Sequence, residues 1–154
     1  MNFRRLYDFL KSPRREYRSR GFGIHSPFAF RFVREVLKQP CAYYAYSSLD
    51  ALARKEGVDS RVVRAIFRIA LAVRPGRLEV RAPESYAIET ALRLGSAGES
   101  KTPLKAVAGL YGEASRVAEE WAGSNRGMLF VAPEMAVFVI SDNLPKQRFD
   151  VAIS

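Results

Sequence analysis

The chain has 154 residues, 48% of them hydrophobic and 27% charged, and carries a formal net charge of +9. That balance suits one globular domain with a single core, and it excludes a disordered chain. No apolar run approaches the roughly 18–20 residues that a bilayer span needs, so no membrane crossing is expected.

Charge is concentrated at the start. Residues 1–40 hold ten basic and three acidic side chains, +7 of the total +9. Residues 2–10 are predicted to form a short helix with Phe3, Leu6, Tyr7 and Leu10 on one face. Arg4, Arg5 and Asp8 break that stretch, which is therefore not a secretory signal. Residues 14–23 are basic and punctuated by glycine, and read as a loop. Ser26-Pro27 starts a helix, because serine accepts from an early backbone N–H and proline in the first turn loses no hydrogen bond. Phe28, Phe32 and Val36 form its stripe, and it stops before Pro40. Ser47 or Ser48 opens another helix, closed by Gly57. Asp59 or Ser60 caps a third, with Val62, Val63, Ile66, Ile69, Ala70 and Val73 at helical spacing, ended by Pro75-Gly76. Residues 1–76 thus read as a basic, helical N-terminal extension.

From Arg77 the pattern alternates. Strands are predicted over 77–82, 104–108, 128–131 and 149–154, and helices over 83–94, 112–122 and 134–143. For the last helix, the run Val137-Phe138-Val139-Ile140 taken alone suits a strand equally well. Strands alternating with helices imply crossover connections and a parallel sheet. Residues 77–154 are accordingly expected to be a βαβαβαβ half-sheet, packed with the extension as one unit.

Two segments carry a family resemblance. Gly21-Phe22-Gly23-Ile24-His25-Ser26-Pro27-Phe28, followed by Tyr43-Tyr44-Ala45-Tyr46, resembles the helical N-terminal extension of a bacterial subgroup of class I S-adenosylmethionine-dependent methyltransferases. The agreement in order and spacing runs from about Arg20 to Ser154, and the His-Ser-Pro-Phe segment is its specific part. The resemblance implies an α/β, Rossmann-like, methyltransferase-type sheet, here four strands in the order 3-2-1-4. It also implies a cofactor site at the carboxyl ends of the strands.

Position by position, the implied cofactor site is degenerate. The family ends its first strand with Glu-Leu-Gly and a second glycine four residues on, so that backbone can approach the cofactor. The aligned run here is Glu79-Val80-Arg81-Ala82-Pro83-Glu84-Ser85: Glu79 remains, while Arg81 and Ser85 stand where the glycines would be. Glu79 can equally be a plain ion-pair partner of Arg77 or Arg81. The second strand of such proteins ends in an acid for the ribose hydroxyls; the matching residue is Ala108. The fourth ends in aspartate; the matching residue is Ser154.

The expected function is therefore that of a methyltransferase-like protein without catalytic residues, acting through binding or self-association, with S-adenosylmethionine a ligand only if the site is retained. A working methyltransferase, with its remaining strands outside this chain or supplied by a partner, is the first alternative. The second is a nucleic-acid- or phosphate-binding module using Arg14, Arg15, Arg18 and Arg20 among interleaved aromatics. The apolar run Val151-Ala152-Ile153 is expected at an open sheet edge, paired across a homo-oligomer or covered by the N-terminal helices. His25 is the only imidazole, placed by its Ser-Pro neighbours in a structural role rather than that of a general base. The tyrosines 43, 44 and 46 are read first as packing and second as a stacking surface. Cys41 is the only cysteine, which leaves no internal disulfide, no zinc site with one histidine, and a reducing cytoplasm as the expected location.

Overall fold

A computed structural model describes residue 24, residues 26–98 and residues 102–154. The expected helix over 2–10, the loop over 14–23, the four arginines 14, 15, 18 and 20, and His25 lie outside the described residues.

Helix α1 (Pro27–Arg31) begins as its sequence dictates: the Ser26 hydroxyl accepts from the Ala29 N–H at 3.3 Å and Pro27 sits in the first turn. It continues as a wider π-helical segment, Phe32–Leu37, whose Phe32, Val33, Val36 and Leu37 are buried. Helix α2 (Ala45–Glu56) starts ahead of the expected serines and has no side-chain cap. The Tyr43 and Tyr46 rings lie 5.4 Å apart, and Tyr43 is 5.4 Å from Phe67. Gly57 ends the helix at φ 69°, a conformation that costs glycine nothing. Helix α3 (Ser60–Ala72) is capped by Asp59, which accepts from the Arg61 N–H at 2.9 Å.

Strand β1 (Leu78–Arg81) leads to helix α4 (Tyr86–Ser96), then to strand β2 (Lys105–Leu110) and helix α5 (Glu113–Ala122). Strands β3 (Met128–Val131), β4 (Met135–Ile140) and β5 (Gln147–Asp150) complete one sheet. Its order is β1-β2-β4-β3-β5. β1 and β2 are parallel, as are β3 and β5, whereas β4 runs antiparallel to both β2 and β3.

The fold is α/β, but the expected parallel sheet of four strands in the order 3-2-1-4 is corrected to a mixed sheet of five. The cause is the segment expected as a helix over 134–143. The Ala132 N–H donates to the Met135 carbonyl at 2.8 Å, closing a tight hairpin after β3, and the β-branched and aromatic run that follows becomes β4. This strand is buried on both faces, which removes the alternation that identifies a half-exposed strand. Met135, Val137 and Val139 join the large core beneath α1–α4, while Ala136 and Phe138 join Val107, Val117 and Leu129 under α5. β1 is thereby an edge strand and not a central one.

The large core unites both parts of the sequence. Phe32 packs on Phe130 with ring centroids 4.8 Å apart, and Phe130 stacks on Phe149 at 5.5 Å. Burial of a side chain such as Phe130 stabilises by about 1.5–3 kcal/mol. The last strand is also shorter than expected. After the Val151 N–H donates to Val131 O at 2.8 Å, residues 151–154 leave the ladder. Val151 and Ile153 are buried, and the Ser154 N–H donates to Leu37 O at 3.2 Å. The apolar run expected at an open edge is thus packed against the π-helical segment.

Candidate functional site

In an α/β sheet with a parallel βαβ unit, ligands sit outside the carboxyl ends of the strands. Here that place is the end of β1 and β2, where a cleft of about 390 Å³ is lined by Arg81, Ala82, Pro83, Leu110, Gly112 and Glu113.

Alternation along β1 decides what faces the cleft. Leu78 and Val80 pack on the large core, so Glu79 and Arg81 project to the α5 side. Arg81 donates from Nε to Glu79 Oε1 at 2.8 Å and from Nη1 to Glu120 Oε2 on α5 at 2.5 Å. The hydrogen bonds to Glu79 and then Glu120 hold its guanidinium well above the ordinary arginine pKa. The side chain standing at the first glycine position is therefore fixed between two carboxylates.

Ser85 caps α4, its hydroxyl accepting from the Ile88 N–H at 3.4 Å, and it also donates to Glu56. The Glu56 carboxylate, reaching over from the end of α2, accepts from the N–H groups of Tyr86 at 3.1 Å and Ala87 at 3.2 Å. These are the orphan amides of a helix N-terminus, where the macrodipole favours a negative charge. The Ser85 hydroxyl foremost, then the Ala87 amide, pulls the Glu56 pKa below the ordinary carboxylate value. The chain's own carboxylate takes the amides that an anionic ligand would use.

The remaining expected positions are placed differently. Ala108 is not at a strand end: β2 runs on to Leu110, and Ala108 is a buried mid-strand residue paired with Val80. Tyr111 and Gly112 follow the strand end and Glu113 opens α5, so the acid lining the cleft is Glu113, which ion-pairs with Arg116 at 3.3 Å. Sequence reasoning missed Glu113 because it ended β2 two residues early. Tyr111 adopts φ 52°, a left-handed conformation that is strained for a bulky residue. Its N–H donates to Glu134 O at 3.0 Å and its hydroxyl accepts from the Asp59 N–H at 3.4 Å, which hold it there. Ser154 is not part of this site. It follows β5, at the opposite edge of the sheet from β1, and its hydroxyl donates to Gln39 O at 3.2 Å.

Glu79, Arg81 and Ser85 are thus brought to one end of the sheet, Ala108 lies inside it, and Ser154 is across it. Of the tyrosines, Tyr46 is buried, Tyr43 packs on Phe67, and Tyr44 is exposed. Among the described residues no three His, Cys, Asp or Glu side chains converge to hold a metal ion, and no helix is long and apolar enough to cross a membrane. Comparison with known protein families, curated proteins and solved structures finds no match to the chain.

Proposed function

We propose that this chain is a methyltransferase-like protein, a relative of class I S-adenosylmethionine-dependent enzymes that works by binding or self-association and not by methyl transfer. Its kinship rests on the Gly21–Phe28 resemblance and on the parallel β1–α4–β2 unit, the part of the sheet compatible with a Rossmann-like origin. The observation that carries the loss of activity is Glu56 seated on the α4 N-terminus. A ligand that brings its own carboxylate to those amides meets a negative charge already bonded there. Arg81, clamped by Glu79 and Glu120, adds bulk where the family keeps a glycine. The residues present do not fit S-adenosylmethionine, although Glu113 alone is suited to accept hydroxyl protons from a sugar.

Isothermal titration tests this reading. No binding of S-adenosylmethionine or S-adenosylhomocysteine up to millimolar concentration is the expected result. Micromolar binding of either, at one site per chain, overturns it in favour of a working methyltransferase.

A further inference from the structure

One edge of the sheet keeps its main-chain groups unused. β1 pairs with β2 alone, in parallel. The Ala106 N–H donates to Arg77 O at 2.9 Å, so Arg77, Glu79 and Arg81 turn their main-chain groups toward β2. Leu78 and Val80 therefore turn theirs outward, where no described residue bonds to them. Such a row is a template for another strand. At the opposite edge, beside β5, Asp150 and Ala152 are engaged in further interactions.

The side chains of β1 restrict which strand can join it. Glu79 and Arg81 lie two residues apart on the α5 face, while Leu78 and Val80 lie on the core face. Residues directly opposite in an antiparallel pair share a face and interact. Two copies of β1 related by a twofold axis at Val80 set Glu79 of each beside Arg81 of the other. The same register sets Val80 on Val80 and Leu78 on Ala82, apolar against apolar. Sliding one strand by two residues sets Glu79 on Glu79 in one direction and Arg81 on Arg81 in the other, and both repel. The order of charges on β1 thus selects a register for pairing with itself. Glu79 and the opposite Arg81 form a non-hydrogen-bonded pair, in which Cα atoms approach to about 4.5 Å. Neither Glu79 Oε2 nor Arg81 Nη2 holds a hydrogen bond among the described residues, so the bonds within one copy can persist.

We propose that a second copy of this chain covers β1, antiparallel about a twofold axis at Val80, and joins the two sheets into one. The inference rests on the self-association reading above and names its surface. The two Val80 residues exchange both main-chain hydrogen bonds, and Leu78 does the same with Ala82 of its partner at each end. A strand of four residues buries little area, so the dimer is a weak one, dissociating at micromolar concentrations or above.

Sedimentation equilibrium of the full chain, up to about 1 mM, tests the proposal. A reversible monomer–dimer equilibrium is expected. Glu79→Arg and Arg81→Glu, each alone, put like charges opposite at two places in the dimer and should weaken it at least about tenfold. The double variant restores opposite charges in this register and should recover most of the loss. Val80→Pro removes an N–H that faces away from β2 and should abolish the dimer while leaving the β1–β2 ladder intact. Should that variant fail to fold, the charge exchange decides, since Glu79 and Arg81 lie outside the core. Hydrogen exchange should show the Leu78 and Val80 amides protected only as the dimer forms, and those of Glu79 and Arg81 protected throughout. A dimer indifferent to these substitutions overturns β1 pairing and leaves self-association standing. A chain that stays monomeric to about 1 mM overturns both. Protection of Leu78 and Val80 in the monomer overturns the proposal by showing that another segment of the same chain covers the edge.

Discussion

Arg81 and Arg68 place the same guanidinium in opposite surroundings. Arg81, at the solvent-facing end of β1, is clamped by two carboxylates, Glu79 and Glu120, that are themselves about half exposed. Arg68, under the helices, is surrounded by main-chain oxygens from two separate segments and by a tyrosine hydroxyl. Where water already screens the charge, ion pairs add little stability, because desolvation and side-chain ordering offset the attraction. Where water is excluded, each acceptor left without a donor costs its full desolvation. The region with formal salt bridges is therefore the less important one for stability. The hydrogen bonds of the buried Arg68 tie the π-helical segment, α2, α3 and the residues after β5 together.

That comparison predicts unequal substitutions. Arg68→Met keeps the aliphatic bulk and strands Val36, Leu37 and Ser154 oxygens; it is expected to cost roughly 3 kcal/mol or more, at about 1–3 kcal/mol per buried unsatisfied group. Arg81→Met is expected to cost under about 1 kcal/mol. Urea unfolding of the two variants measures the difference directly. Equal losses would mean that the carbonyls around Arg68 find water, and the contrast between the regions would collapse.

A second substitution asks whether the Arg81 region is held by charge or by packing. α5 crosses β2 so closely at Gly109 that an added Cβ would lie 2.6 Å from Glu113 O and 2.6 Å from a Val117 methyl. The first contact is backbone and cannot swing away. Gly109→Ala should push α5 off the sheet at a cost of about 1–3 kcal/mol, more than Arg81→Met, with the Arg81–Glu120 pair lengthened as a consequence. Thermal unfolding ranks the two. If Gly109→Ala proves the milder, the ion pair and not the helix–sheet contact positions α5.

Much of this architecture could be read before any coordinates. The caps at Ser26 and Asp59 and the stop at Gly57 are local chemistry, written within a few residues of where they act. The βαβ unit from β1 to β2 followed from alternating texture. The hairpin of β3 and β4 did not, because a strand buried on both faces has no period of two to detect. β2 runs two residues past the expected Ala108, because Gly109 lies within the strand where α5 crosses too closely for a Cβ. Of the expected cofactor positions, those on β1 and at the start of α4 gather because they are neighbours in sequence. Ala108 depended on the end of β2, and Ser154 on a strand order that β4 changed. Glu56 and Arg68 were invisible for a different cause. Their partners lie 22 to 86 residues away, and nothing in Arg61–Ala70 distinguishes the buried Arg68 from the paired Arg61 and Arg64. α3 is buried almost all round, so one arginine had to go inside; only the tertiary structure chooses which.

The smallest effect, and the most specific, belongs to Glu56. Its hydrogen bonds from Ser85, Ala87 and Tyr86 favour the ionised carboxylate and lower its folded-state pKa below the ordinary 4.5. A carboxylate depressed on folding stabilises fully at pH values above its unfolded pKa, and that contribution fades as pH falls through the folded pKa. Glu56→Gln keeps an oxygen acceptor for one amide but removes the charge at the helix N-terminus. The variant is therefore expected to melt slightly below the parent at pH 7. The gap should narrow as the pH falls below the ordinary carboxylate value and close once it is below the folded-state pKa, where the parent carboxyl is itself protonated. Paired melting curves across that range read the effect. A gap that stays constant with pH would mean that Glu56 is held by geometry alone, and that the end of α4 carries no electrostatic demand for an anion, its own or a ligand's.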